Sequence, residues 1–360
     1  MDPGEQMQRR ETLPHLDVCV EDSAPWGGVL ALMQALRPHW DPARIQLKFF
    51  TEGITNLLMG CWVEGPVGPV ETVLVRVYGR HTERLVDRAR ERATLQLLQA
   101  HGCGPRLYCS FTNGLCYQYL SGRVLEDRLL REPAVYRLIA AEMARIHSIP
   151  RSGSPAQPVL WEKVSGFLQL VQTAETKPPG PEGTLPGLPG LHVLQREMEA
   201  LRQHLTHVSS PIVLCHNDLL TKNIIYNQPE GSVRFIDYEY ADYNYQAFDI
   251  GNHFNEFAGV ETVDPSLYPS VGLQRDWLAT YLRSYKQALG LSTGVSDQEL
   301  QGLYVRVCKF SLVSHFLWGL WALLQARYST IDFDFLRYAL ARFDFYFEKK
   351  EEYFAMKLPD

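Results

Sequence analysis

Three residues in the second half of the chain have the types and spacing for phosphoryl transfer. An apolar, strand-like run, Ile212-Val213-Leu214-Cys215, leads into His216-Asn217-Asp218, and Asn223 follows five positions after Asp218. A hairpin pattern comes next. Strand-like pieces at 223–226 and 233–236 flank Asn227-Gln228-Pro229-Glu230-Gly231, and the second piece ends at Asp237. Phosphoryl transfer asks little covalent chemistry of a protein. One carboxylate orients the attacking hydroxyl and takes its proton, hard oxygen ligands hold Mg2+ on the transferring phosphates, and a cation steadies those phosphates. The D-x-x-x-x-N spacing lets one loop carry a base, Asp218, and a metal ligand, Asn223. Asp237 stands where the metal-binding aspartate of a kinase hairpin stands. Asp237-Tyr238-Glu239 departs from the Asp-Phe-Gly of protein kinases. Singly, each residue is also an ordinary turn former; the ordered combination carries the signal. His216 reads as an orienting group and Asp249 as an acid bracing the loop. His253 and His315 read as core histidines.

The elements that must position these groups follow from periodicity. The 360 residues are 46% apolar and 21% charged, as in a globular protein, and the length suits two lobes. A net charge of −6 gives no general attraction to nucleic acid or anionic lipid. Seven scattered cysteines without CxxC spacing suggest neither zinc nor a disulfide framework, and point to a reducing, cytoplasmic setting. No signal-peptide pattern opens the chain, and the most apolar window, 310–326, reads as a buried helix and not a stable membrane insertion. Residues 1–25 read as a disordered extension. Short strands at 46–50, 57–63 and 72–78, a helix at 83–100, and strands at 106–110 and 115–119 follow. Helices are expected at 133–146 and 191–205, with breaker-rich stretches at 150–160 and 177–190, and helical patterns fill most of the remainder. The outline is α+β and bilobal, with a small β-rich N-lobe (26–119) and a larger, mainly helical C-lobe (120–360). That shape suits a cleft enzyme.

The run HNDLLTKNIIYN, continued by FIDYEYADYNYQAFDIGNHFNEFAG and later by SHFLWGLWALLQARYSTIDFDFLRYALARF, resembles the choline/ethanolamine kinase family. The likeness extends over nearly the whole chain from about residue 45, and the ethanolamine kinases are the better match within the family. The resemblance implies a protein-kinase-like fold and MgATP-dependent phosphorylation of an amino alcohol. Asp218 would then be the base, with Asn223 and Asp237 as magnesium ligands. It makes the turn holding Gly53, Thr55 and Asn56 an ATP-covering loop, although its residues alone read as a plain hairpin turn. It makes Arg76, otherwise a lone charge in an apolar strand, a phosphate-binding group in place of the protein-kinase lysine. Glu91 has two readings: a partner for Arg76, or one of the solvated acidic stripe Glu83, Asp87, Glu91. Gln118 and Leu120 would bound an adenine-facing hinge.

On the acceptor side, Trp318 and Trp321 share one helix face. Such aromatics are ordinarily core, but indole and phenol faces also attract ammonium ions. The resemblance makes Tyr240, Glu256, Trp318, Trp321, Phe333 and Tyr338 the surround of the substrate nitrogen. A primary ammonium has N–H donors and wants acceptors, whereas a quaternary nitrogen has none. After Glu256 the chain reads Phe257-Ala258-Gly259-Val260-Glu261, less aromatic than choline kinases are across this segment. An inward-pointing Glu261 would favour ethanolamine. The implied function is conversion of ethanolamine to phosphoethanolamine, the first step of the CDP-ethanolamine route to phosphatidylethanolamine. A choline or dual-specificity kinase is the alternative within the family. An aminoglycoside kinase shares the loop. The absence of Asp-Phe-Gly argues against a protein kinase, and the presence of Asp218, Asn223 and Asp237 together argues against a non-catalytic pseudokinase.

Overall fold

The computed structural model describes residues 13–50, 56–65, 68–79, 87–151, 157–175, 186–329 and 331–359. They form two compact units, one ending at Ser121 and the other beginning at Gly122.

The first unit is built on a six-stranded sheet. In chain order its elements are β1 (His15–Leu16), α1 (Trp26–Leu36), β2 (Ile45–Phe50), β3 (Asn56–Gly65), β4 (Gly68–Tyr78), α2 (Arg88–Ala100), β5 (Leu107–Phe111) and β6 (Gly114–Gln118). The sheet order is β1-β5-β6-β4-β3-β2, with β1 parallel to β5 and the other pairings antiparallel. The two-residue period of a strand sets the faces of β4. Val73, Val75 and Val77 turn into a core shared with Met59 and Cys61 of β3 and with Val29, Leu32 and Met33 of α1. Arg76 therefore points from the opposite face. Beside it, Gly114 lets β6 begin hard against β4, because a Cβ there would stand 2.1 Å from the Arg76 carbonyl oxygen.

Two features of this unit differ from the sequence reading. Residues 13–25 are ordered and not part of a disordered extension. β1 joins the sheet, and Val20 is buried with its N–H and carbonyl held by the Asn113 side chain at 3.0 and 2.8 Å. Polar composition hid this, because the fastening is to residues more than ninety positions away. Helix α1 is the second. Gly27 and Gly28 in its first turn depress helix propensity, and burial of Val29, Leu32 and Met33 on one face offsets that loss. The helix read as 83–100 is described from Arg88, where the Asp87 side chain accepts from the N–H groups of Ala89 and Arg90.

The second unit is mainly helical. It contains β7 (Arg123–Val124), α3 (Pro133–His147), α4 (Leu160–Glu175), α5 (Leu191–Leu205), β8 (Ile212–Cys215), β9 (Ile224–Asn227), β10 (Ser232–Phe235), β11 (Asp242–Tyr245), α6 (Gln246–Glu256), α7 (Val271–Ala288), α8 (Asp297–Tyr328) and α9 (Phe335–Ala355). Two small sheets, β10-β9-β7 and β11-β8, carry the loops between them. The expected hairpin is β9–β10, paired from Ile224↔Phe235 to Asn227↔Ser232. Helix α6 is buried along its whole length. It lies close to α8 because residue 251 is glycine: a Cβ there would meet the Val307 carbonyl oxygen at 2.9 Å. Helix α8 starts at a capping box, Ser296 with Glu299. It is long and apolar enough to cross a membrane, but 89% of its apolar stretch is buried inside the protein, the mark of a core helix.

Candidate active site

Strand β8 delivers the loop 216–223, the candidate catalytic loop, and Asp249, in the first turn of α6, fixes its backbone. The two Asp249 oxygens accept from the N–H groups of His216 (2.8 Å) and Asn217 (2.7 Å). His147 at the end of α3 bonds the same carboxylate at 2.9 Å, and its other nitrogen meets the Tyr281 hydroxyl at 2.6 Å. Burial pushes the Asp249 carboxyl up, but the hydrogen bond and charge of His147 outweigh it, and Asp249 stays below the usual aspartate range. His216 is neutral: burial lowers it, and the Asp249 charge only partly restores it. Its Nε2 meets the Ile236 carbonyl at 2.9 Å, so Nε2 carries the proton and Nδ1 accepts the Asp218 N–H at 3.3 Å. The loop and the strand ending before Asp237 are thereby tied together. Asn217 (φ 66°) and Asp237 (φ 62°) are both left-handed, a conformation costing about 1–3 kcal/mol that surrounding contacts must hold. For Asn217 those contacts are its side-chain N–H to the Tyr240 carbonyl (3.0 Å) and its oxygen to Asn244 (2.8 Å).

Asp218 sits partly exposed at the tip. Its enclosure pushes its carboxyl well above the usual range, and Glu256, Asp237 and Glu239 push it further, while Lys163 pulls it back. Several carboxylates thus converge on one small region, an arrangement that calls for cations. The Asn223 side-chain N–H donates to the Asp218 carbonyl at 2.8 Å, which turns its amide oxygen toward another partner. An amide oxygen and the Asp237 carboxylate are hard donors and fit Mg2+.

Around this loop lie the aromatic residues expected to hold a cation. Trp318 packs edge-on against Tyr240 and against Trp321, each with ring centroids 5.4 Å apart. Trp321 Nε1 donates to the Tyr240 hydroxyl at 3.2 Å. Phe333 and Tyr338 pack together at 5.9 Å, and Phe335 bridges Phe333 to Trp321 at 4.8 and 5.8 Å. Glu256 is buried at the end of α6 and pairs with Arg342 of α9 at 3.0 Å. Glu261 does not point inward: it is exposed and pairs with Lys222 at 2.7 Å. The turn after α6 carries it to the surface, so it supplies no acceptor to an ammonium ion. Sequence reasoning missed Arg342 and Lys163. Lys163 donates to the Tyr240 carbonyl at 3.1 Å and lies 5.3 Å from the Tyr240 ring centroid. With Asn217, Tyr240, Asn244 and Trp318 it lines a small cavity beside the loop. A lone cation on a largely apolar helix was the available signal for Lys163; Arg342, on a helix with three other cations, gave none.

In the first unit, Arg76 is buried and pairs with Glu91 at 3.1 Å, and Arg88 reaches the other Glu91 oxygen at 2.9 Å. Glu91 is therefore a buried partner and not a member of a solvated stripe. Gln118 lies three positions along β6 from the residue opposite Arg76, and its side-chain oxygen accepts the Arg106 N–H at 3.3 Å. Leu120 follows, partly exposed. Gly53 and Thr55 fall outside the described residues, as does the side chain of Asn56.

The sequence pattern of the choline/ethanolamine kinase family matches residues 47–347. This chain belongs to the choline/ethanolamine kinase family. Human ethanolamine kinase 2 is 51% identical over 98% of this chain and 88% of its own length, and human ethanolamine kinase 1 is 49% identical over 97% and 77%. Among solved structures, an ethanolamine kinase from Plasmodium vivax superposes with a TM-score of 0.78 at 27% identity, covering 91% of this chain and 89% of its own. A choline kinase from Cryptosporidium parvum, at 23% identity, shares the fold with a TM-score of 0.77 over 90% and 95% of the two chains. The protein-kinase-like α+β fold expected from the sequence is the fold of this choline/ethanolamine kinase. Its ATP-using phosphotransferase chemistry follows from the family.

Proposed function

We propose that this chain transfers the γ-phosphoryl group of ATP to the hydroxyl of ethanolamine, giving phosphoethanolamine and ADP, the first step of the CDP-ethanolamine route. The observation carrying this reading is the meeting of base loop and acceptor rings: Tyr240, Trp318 and Trp321 pack as one cluster, and the side chain of Asn217, next to Asp218, donates to the Tyr240 carbonyl at 3.0 Å. Residues 26–119 act on the nucleotide through Arg76 and Gln118, and Leu120, just beyond them, faces the adenine with Gln118. Residues 120–360 hold the metal and the amino alcohol. Asp218 orients the substrate hydroxyl and takes its proton, and a raised pKa brings it nearer to a working base at neutral pH. Asn223 and Asp237 hold Mg2+, which when bound offsets charge on the β- and γ-phosphates. Tyr240, Trp318, Trp321, Phe333 and Tyr338 give the ammonium π-faces, and Glu256 gives it an acceptor oxygen. The ring-rich box also suits a quaternary nitrogen, so choline is the second reading. The seven free cysteines fit a reducing, cytoplasmic setting. Incubating the protein with MgATP and ethanolamine tests the reading: phosphoethanolamine should accumulate, and Asp237→Ala should abolish it at millimolar magnesium. Full activity of Asp237→Ala would remove the residue from metal binding.

A further inference from the structure

Arg342 is a fully enclosed cation beside a site that is meant to attract a cation. It stands on α9, is 2% exposed, and is held from three sides. Nη1 donates to Glu256 Oε1 at 3.0 Å, Nη2 donates to Ser314 Oγ at 3.3 Å, and the guanidinium carbon lies 5.5 Å from the Tyr338 ring centroid. The network continues. Ser314 Oγ and Trp318 Nε1 both donate to Asn252 Oδ1 at 2.8 Å. One guanidinium thus touches the acid of the acceptor box and one of its rings, and reaches a second ring through three hydrogen bonds by way of Ser314 and Asn252.

We propose that Arg342 is a positioning and specificity residue for the amino alcohol: it keeps Glu256 as an oriented carboxylate, engages Oε1, and leaves Oε2 to accept an N–H of a primary ammonium. This rests on the acceptor box of the preceding section. The physical case has two parts. A carboxylate enclosed among rings is driven toward its neutral form by desolvation, and a rigid guanidinium in contact reverses much of that cost. A carboxylate with one oxygen committed also has a fixed direction for the other. The salt bridge is further a near-neutral unit, so Glu256 contributes a directed acceptor more than net charge. A directed acceptor matters to an ammonium with N–H groups and is wasted on a trimethylated nitrogen, which relies on ring faces alone. Arg342 therefore favours ethanolamine over choline without touching either.

The test is steady-state kinetics of the full chain with ethanolamine and with choline, for wild type, Arg342→Met, Glu256→Gln and the double variant. Arg342→Met should raise the KM for ethanolamine on the order of tenfold or more, a typical scale for losing a hydrogen bond to a charged group. It should move the KM for choline much less and leave the KM for ATP unchanged, so the ethanolamine-to-choline ratio of kcat/KM falls. Glu256→Gln, which keeps Arg342, should lower the same ratio, and the double variant should be no worse than the poorer single variant. If Arg342→Met does not fold, Glu256→Gln and the double variant, which buries no lone carboxylate, carry the test. Equal losses for both alcohols, a raised KM for ATP, a lower KM for ethanolamine, or additive losses in the double variant would overturn the proposal. A wild type that phosphorylates no amino alcohol would instead sink the functional reading beneath it.

Discussion

At the scale of single residues, Asp218, the proposed base, illustrates how a functional group conflicts with stability. Its carboxyl is raised by enclosure and by the nearby acids Glu256, Asp237 and Glu239. An acid whose folded-state pKa exceeds its unfolded value, roughly 4, is destabilising when ionised. The cost is absent below that unfolded value, grows as pH rises toward the folded value, and is complete above it. Asp218→Asn should therefore raise the melting temperature by a few degrees at pH 8, with little change at the acid end. The same variant should lose kcat by roughly two to four orders of magnitude with the KM for ATP nearly unchanged. Thermal scans at two pH values and initial-rate kinetics check both statements; a less stable, still active variant would contradict them. The loop and hairpin that carry Asp218, Asn223 and Asp237 were legible in the sequence because their spacing is fixed locally. Arg342 was not, because its partner Glu256 is 86 positions away and only tertiary packing brings α6 and α9 together.

At the scale of elements, the loop bearing Asp218 is held from behind. Asp249 on α6 takes two loop N–H groups and is itself held by His147 on α3, which is bonded to Tyr281 on α7. Three helices thus converge on one carboxylate. Its pKa is lowered, so its stabilising contribution is present above the ordinary aspartate value and is lost as pH falls through the folded value. Asp249→Asn puts an amide N–H where an N–H or imidazole already points. It should cost about 2–4 kcal/mol in denaturant unfolding and lower kcat together with stability. Unchanged unfolding would mean that the loop holds itself. Asp249 read from the sequence as an acid bracing the loop, but the His147–Tyr281 support behind it is non-local. Helix α1 shows the opposite failure. Two glycines in the first turn masked a helix that exists because its apolar face closes the core under β4.

At the scale of the whole molecule, the chain is a β-rich unit and a helical unit, each legible from hydrophobic period and turn residues. The lobes, the hairpin and the buried apolar helix follow from those local patterns. What patterns could not supply was where each acid after the start of α6 lies. Glu261 read as a candidate acceptor and lies on the surface with Lys222, whereas Glu256 is buried with Arg342. On the proposed reading, specificity for ethanolamine would rest on one carboxylate and its guanidinium inside an aromatic box. The most direct measurement of the central claim is the ratio of kcat/KM for ethanolamine to that for choline, with saturating MgATP. A ratio of roughly ten or more is expected from an acceptor that only the primary ammonium can use. A ratio below one, or no transfer to ethanolamine, would contradict the assignment.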